Sequence, residues 1–332
     1  MTKIRPRVFV TRAIAPGAIA KLRKHATVEV WPRATPPPYA QLVRRAREAE
    51  ALLTMVTDRV DAALIASAPK LLVISNLAVG LDNIDIAAAT AAGIAVGHTP
   101  GVLTDATADL AFALLMAAAR RIVEGDREVR VGKWQTWGPA VLLGRDVWGA
   151  TLGIVGWGQI GRAMARRGLG FNMHILYTSR PTKDAESDRG ATRVSMKRLL
   201  QHSDFVSLHV PLTPQTKHLI GAKELALMKP GAILINTARG GVIDQHALYR
   251  SLKQGHLGGA ALDVTDPEPI SYRDPLLDLA NVVIAPHIGS ATFTTRNKMA
   301  DIATGNIVEV LGGRLPQFCA NPGVVLRDLS RG

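Results

Sequence analysis

Short apolar, β-branched runs alternate with helix-patterned segments over the first hundred or so residues. The runs are Val8-Phe9-Val10, Val28-Glu29-Val30, Ala51 to Met55, Leu71 to Ser75 and Ile94-Ala95-Val96. Runs of this kind, each followed by a helix-length segment, predict a parallel sheet with crossover helices. Pro36-Pro37-Pro38 falls between two elements and predicts a loop. A second alternation begins at Thr151-Leu152-Gly153-Ile154-Val155 and continues through His174 to Thr178, Phe205 to Val210, Ala232 to Thr237, Ala260 to Val264 and Val282 to Ala285. It predicts a second doubly wound sheet, of the nucleotide-binding kind.

Between the two alternations, the proline-free stretch from Thr104 to Val131 predicts one long helix, capped at its start by Thr104-Asp105. Its first half is apolar, as expected of a helix buried at a domain or subunit interface. After His287 the helical pattern returns from Thr292 to Leu311, too short for a domain, and this segment is assigned back to the first sheet. The fold class is therefore α/β, with two doubly wound parallel-sheet domains.

Composition agrees with two domains: 332 residues exceed one ordinary core, and 47% hydrophobic with 20% charged residues is a globular balance. The longest apolar run, Leu110 to Ala119, is about half of a membrane span, so no transmembrane helix is expected. The amino-terminal residues lead into Val8-Phe9-Val10 without the pattern of a signal peptide, and Cys319 is the single cysteine. Both features point to a reducing, cytoplasmic setting. A net charge of +13 raises the question of nucleic acid, but the basic residues are scattered in ones and twos, as at Arg44-Arg45, Arg120-Arg121 and Arg166-Arg167. That spread predicts a solvated basic surface that guides an anionic substrate, not a nucleic-acid site or a membrane contact.

The chemistry begins at Gly156-Trp157-Gly158-Gln159-Ile160-Gly161, directly after the strand at 151–155 and at the head of a helical segment, Ile160 to Leu169. Here Gly156 permits a tight turn, Gly158 lets the backbone approach a pyrophosphate, and Gly161 lets the helix pack close to the strand. The residue ending the next strand discriminates the nicotinamide cofactors, since a carboxylate there binds the ribose hydroxyls of NAD and repels a 2′-phosphate. This chain has Ser179-Arg180-Pro181-Thr182 instead. A guanidinium and hydroxyls suit a phosphate dianion, so NADPH is the preferred cofactor and NADH the alternative. No metal site is expected.

Three further strand ends carry side chains suited to carbonyl reduction. Arg239 stands in Asn236-Thr237-Ala238-Arg239-Gly240-Gly241, where small neighbours let a guanidinium reach a cleft and grip a carboxylate through two parallel bonds. Glu268 stands between Pro267 and Pro269, and His287 follows Pro286. A carboxylate hydrogen-bonded to an imidazole favours the imidazolium, which makes a proton donor. A phosphate-binding turn followed by a cation, a carboxylate and an imidazole is the equipment of an oxidoreductase that moves a hydride and a proton together.

With these residues assembled, the chain resembles the D-isomer-specific 2-hydroxyacid dehydrogenase family, and within it the glyoxylate/hydroxypyruvate reductases. The resemblance covers nearly the whole chain. It is carried in order by Leu77 to Asp85, Val102 to Asp109, the glycine turn, Val210-Pro211-Leu212-Thr213, the Arg239 segment, Asp263 to Pro269 and Pro286 to Ser290. It implies a flavodoxin-like substrate domain of residues 1–101 plus 288–332, and a Rossmann NAD(P)-binding domain of residues 102–287. It implies Arg239, Glu268 and His287 as the catalytic set, with the N–H groups of Val79 and Gly80 on the substrate carboxylate. Thr104 and Asp263 would lie near the nicotinamide, and Val210, Pro211, Thr216, Thr237, Ala238 and Gly289 would complete the cofactor site. Met55, Leu77 and Ser290 would help shape the substrate pocket, and Trp134 or Trp137 would reach the partner's cleft in a homodimer.

The resulting expectation is an enzyme that reduces a small anionic 2-oxo acid, glyoxylate or hydroxypyruvate, to the 2-hydroxy acid. Formate dehydrogenases of the family carry glutamine at the position of Glu268, which disfavours that activity. A broader-specificity 2-ketoacid reductase is the alternative within the family. From another class, the alternative is a cofactor-sensing binding protein without turnover.

Overall fold

The computed structural model describes residues 5–180 and 190–327. Its chain falls into two compact units, one running to Leu103 and resuming at Ala291, the other spanning Thr104–Ser290. The first unit contains strands β1 (Arg7–Val10), β2 (Thr27–Val30), β3 (Ala51–Thr54), β4 (Val73–Asn76) and β5 (Ala95–Gly97). Every pairing is parallel, in the order β2-β1-β3-β4-β5. Helices α1 (Pro16–Arg23), α2 (Tyr39–Ala46), α3 (Ala62–Ala66) and α4 (Ile86–Ala91) make the crossovers. Local chemistry sets their starts. Proline opens α1, where its missing N–H costs nothing, while Asp61 and Asp85 accept the amides of Leu64 and Ala88 at 3.0 and 2.9 Å. β3 and β4 are buried along their whole length, and Phe9, Leu52, Ile74, Leu64 and Val96 pack in one core. The strand expected from Leu71 starts at Val73, because the Leu71 N–H still closes the turn after α3 on Ala68 O at 3.2 Å.

The second unit opens with α5 (Thr104–Ala119) and α6 (Ile122–Arg130). There follow β6 (Thr151–Val155), α7 (Gln159–Gly170), β7 (His174–Thr178), β8 (Ala191–Arg193), α8 (Met196–His202), β9 (Phe205–Leu208) and α9 (Ala222–Leu227). It ends with β10 (Ile233–Asn236), α10 (Gln245–Lys253), β11 (Gly259–Leu262) and β12 (Val282–Ile284). The seven strands form a parallel sheet in the order β12-β11-β10-β9-β6-β7-β8. From β6 the chain winds outward one way through β7 and β8, then returns to wind the other way from β9. This reversal beside β6 is a topological switch point, and open α/β sheets hold their ligands outside the carboxyl ends of the strands there. The last helix, α11 (Phe293–Leu311), begins at Thr292, which accepts the Thr295 amide at 3.1 Å. It belongs to the first unit, where Ser75 Oγ donates to Ala303 O at 2.8 Å.

Three expectations change. The stretch from Thr104 to Val131 is two helices, because Arg121 adopts a left-handed φ of 54° and breaks the run. The Arg145 N–H takes the Ala119 carbonyl at 2.8 Å, closing α5 where two consecutive arginines would otherwise have to follow it onto the sheet. The apolar half of that stretch is buried within its own unit: Ala111, Phe112, Leu115 and Ala119 pack with Ile154, Ile235 and Ala261 of the sheet. β8, a three-residue edge strand, has no apolar run to announce it. The crossings between units fall after Leu103 and Ser290. The amides of Ile288 and Gly289 are tied to Asp263, which holds them with the second unit.

Candidate active site

The glycine turn leaves β6 at the switch point. Gly156 has a φ of +102°, and a side chain on it would fall 2.6 Å from the carbonyl oxygen of His209 at the end of β9. A side chain at Gly161 would meet Gly156 O at 2.1 Å, whereas one at Gly158 would meet nothing within 4 Å. The turn is thus closed towards the sheet and open at Gly158. No side chain caps α7 at Gly158, which leaves its opening amides available to an anion. Trp157 stacks on Tyr177 of β7, with ring centroids 3.9 Å apart, and fixes the turn against the neighbouring strand.

The loops that leave β10 and β11 are locked together. Asn236 is fully buried and turns its amide onto the following loop: Oδ1 accepts the Ala238 N–H at 3.0 Å, and Nδ2 donates to Arg239 O at 2.8 Å. Gly240 lies so close to the loop after β11 that a Cβ would fall 2.0 Å from Thr265 O. That approach sets the Arg239 turn against the loop that carries Glu268. The Arg239 guanidinium donates through Nη1 to Ala238 O at 2.8 Å.

Asp263 organises the histidine turn. Its carboxylate accepts Ile288 N–H at 2.7 Å and Gly289 N–H at 2.8 Å, and its carbonyl accepts His287 N–H at 2.9 Å. Burial pushes the Asp263 carboxyl above the ordinary carboxylate value, against the pull of these two amides. Between those anchors His287 sits at a left-handed φ of 55°, a conformation that a non-glycine residue keeps only when its surroundings impose it. The imidazole Nδ1 meets Glu268 Oε1 at 2.5 Å, and the two side chains are 31% and 33% exposed. Nδ1 is thereby engaged, and Nε2 is the nitrogen left to meet a reacting group.

A phosphate-ready turn at the switch point and a carboxylate–imidazole pair in the same unit invite comparison with known proteins. The model of the D-isomer specific 2-hydroxyacid dehydrogenase NAD-binding domain matches residues 112–289. The chain belongs to the D-isomer specific 2-hydroxyacid dehydrogenase family. It is 51% identical over 327 residues to a glyoxylate reductase of Thermococcus litoralis, covering 97% of this chain and 98% of that one. The crystal structure of a Thermus thermophilus protein, 48% identical, superposes with a TM-score of 0.90 over 95% of this chain and 99% of the other. An NADPH-dependent glyoxylate/hydroxypyruvate reductase from Sinorhizobium meliloti, solved with NADP and malonate, is 29% identical with a TM-score of 0.85, over 98% and 99% of the two chains.

The second unit of this dehydrogenase is therefore an NAD(P)-binding domain, and its residues fit a dinucleotide. Besides the open turn at Gly158, the Thr237 hydroxyl just past β10 is buried with no hydrogen-bond partner among the described residues. Thr104 and Gln159 come together at the starts of α5 and α7, Oγ1 to Oε1 at 3.2 Å. The Thr216 hydroxyl is engaged within its own loop, donating to Pro211 O at 2.6 Å and accepting Thr213 N–H at 2.8 Å, and it shapes the segment after Val210. At the end of β7, Ser179 is half-buried and Arg180 exposed, while Thr182 lies outside the described residues. In the first unit of the dehydrogenase, Met55 and Leu77 follow β3 and β4 directly, and Val79 and Gly80 lie in the turn beyond.

Two residues at the site escaped sequence reasoning in this dehydrogenase. Arg193 on β8 pairs in register with Tyr177 and donates through Nη2 to Ser179 O at 3.1 Å, bringing a second guanidinium to the end of β7. His209, whose Nε2 lies 2.9 Å from Ser207 Oγ, is held down to about 4 by burial and is neutral at pH 7. Arg193 depends on pairing with a neighbouring strand, whereas His209 bonds to Ser207 two residues back on β9 and is set apart by its burial.

Proposed function

We propose that the protein is an NADPH-preferring reductase of small 2-oxo acids, glyoxylate and hydroxypyruvate. The observation that carries this reading is the His287–Glu268 pair held at a strand end by Asp263. The relatives named as glyoxylate reductases support the substrate class.

The substrate carboxylate is assigned to two sets of donors, the Arg239 guanidinium and the N–H groups of Val79 and Gly80. Arg239 also draws charge towards the carbonyl oxygen, lowering the barrier where negative charge develops. The reduced nicotinamide, when bound, supplies the hydride that reaches the carbonyl carbon. His287 gives its Nε2 proton to the oxygen that becomes the hydroxyl, and Glu268, bonded to Nδ1, orients the ring. The glycine turn and α7 are assigned to the pyrophosphate, and Thr104, Thr237, Ala238 and Asp263 to the nicotinamide end.

Arg180, with Ser179, is assigned to the 2′-phosphate, and Arg193 beside Ser179 adds a second cation of the same sign. A homodimer is supported by apolar residues left exposed between α6 and β6, with Trp134 at 64%, Trp137 at 79% and Trp148 at 71% exposure. No helix among the described residues is long and apolar enough to cross a membrane, and Cys319 is a free thiol. We assign the enzyme to the cytoplasm.

The test is oxidation of NADPH measured against a panel of 2-oxo acids and repeated with NADH. Turnover of glyoxylate and hydroxypyruvate, with a lower Michaelis constant for NADPH than for NADH, is expected. Cofactor binding without turnover of any 2-oxo acid would instead make the protein a cofactor sensor.

A further inference from the structure

Three successive carbonyls of the segment Ala78-Val79-Gly80 are tied down. The Thr99 N–H donates to Ala78 O at 2.8 Å, His98 Nδ1 lies 3.2 Å from Val79 O, and Asn76 Nδ2 donates to Gly80 O at 3.0 Å. In a trans peptide the N–H points opposite to the carbonyl of the same plane. Holding Ala78 O therefore aims the Val79 N–H, and holding Val79 O aims the Gly80 N–H, away from the chain that follows β5. Neither N–H has an acceptor among the described residues, and Val79 is 37% exposed. Two adjacent outward-facing amides form a concavity suited to an anion.

The bracket behind them is rigid. His98 directly follows β5; its N–H donates to Phe318 O at 3.1 Å, and its carbonyl accepts Asn306 Nδ2 at 3.1 Å. Asn306 itself is only 1% exposed, on α11. With its backbone fixed on both sides, the imidazole is held in reach of Val79 O. Because a carbonyl only accepts, the His98 tautomer must carry its proton on Nδ1.

We propose that His98 is a positioning residue of the reduction: its Nδ1–H, donated to Val79 O, holds the Gly80 N–H in the orientation that receives the substrate carboxylate. This rests on the assignment of the Val79 and Gly80 amides to that carboxylate. The Thr99 bond fixes only the first of the two amides, and the Gly80 amide depends on a side chain. Removing that side chain frees one peptide plane without touching a group that contacts substrate.

The experiment compares His98→Leu, which keeps bulk and has no donor, with His98→Asn, whose Nδ2 can stand where Nδ1 stood. His98→Ala replaces the leucine variant should that one not fold. Each full-length enzyme is assayed with glyoxylate and with acetaldehyde, which offers a carbonyl without a carboxylate, and its NADPH complex is titrated with oxamate. Loss of one orienting hydrogen bond is expected to raise the glyoxylate KM and the oxamate Kd about tenfold in His98→Leu. The acetaldehyde KM and the NADPH Kd should stay within about twofold, and His98→Asn should recover most of the loss. Equal effects on glyoxylate and acetaldehyde, or an asparagine variant no better than leucine, would overturn the role of His98. A wild-type enzyme that does not prefer glyoxylate to acetaldehyde would overturn the carboxylate assignment itself, and the positioning role with it.

Discussion

Asp263→Asn separates the geometry of the histidine turn from its chemistry. The carboxylate accepts two amides at 2.7 and 2.8 Å, and a hydrogen bond to a charged acceptor is worth about 1.5–3 kcal/mol. Asparagine keeps one acceptor and turns an NH2 group towards the other amide, so about one such bond is lost. Against this stands the burial that pushes the Asp263 carboxyl above its ordinary value, which means that the ionised form is held at a cost that asparagine does not bear. The two effects oppose, and the net change in stability is expected to be about 1 kcal/mol or less.

Activity should respond far more. His287 holds a left-handed φ of 55° while the two amides that follow it are anchored on the Asp263 carboxylate, and such a residue stores about 1–3 kcal/mol of strain. Released, the turn relaxes and carries the imidazole with it; a displacement near 1 Å costs about a hundredfold in rate. The assay is kcat for glyoxylate reduction at saturating NADPH, with the melting temperature and the NADPH Kd of the same preparation. We expect kcat to fall about a hundredfold while the melting temperature moves by only a few degrees. A variant retaining kcat within threefold of wild type would show that Asp263 does not hold the histidine in place.

His287→Ala and Arg239→Ala should each lower kcat/KM by at least about two orders of magnitude with cofactor binding intact, and retained turnover in either would remove that residue from the mechanism. Arg180→Ala should raise the Kd for NADPH and leave that for NADH unchanged, as read by fluorescence titration; an equal response to both cofactors would sink the 2′-phosphate assignment. His209 has a folded value of about 4 against 6.5 for the free side chain. The unfolded chain takes up a proton below about 6.5 that the folded chain refuses, so stability present at pH 7 declines as the pH falls towards 4, by at most about 3 kcal/mol. His209→Gln should flatten that part of the melting temperature–pH curve, and an unchanged slope would place the acid loss elsewhere.

The central strands of both sheets were legible because β3, β4, β9, β10 and β11 are buried along their whole length and so read as largely apolar runs between polar turns. The glycine turn was legible for a different reason: its three glycines lie within six residues, and one of their constraints, the close approach of Gly161 to Gly156 O, is local. Arg239, Glu268 and His287 stood out because each follows a strand end, Glu268 and His287 beside prolines that stiffen the chain and Arg239 beside glycines that leave its side chain room. The break at Arg121 was hidden, since arginine favours helix and the carbonyl closing α5 is taken by Arg145, far along the chain.

What the sequence by itself determined is every strand but β8, the phosphate-ready turn and the residue types suited to reduction, all dictated by periodicity and local backbone chemistry. Only the tertiary structure decided how those residues are held. The Asp263 carboxylate reaches the amides of Ile288 and Gly289 because β11 and β12 are neighbours, and Arg193 reaches Ser179 because β8 lies beside β7. His98 meets Val79 because the segment after β5 returns alongside the turn after β4. Hydrogen bonds of this kind join strands adjacent in space and distant in sequence, and no local pattern in the chain encodes them.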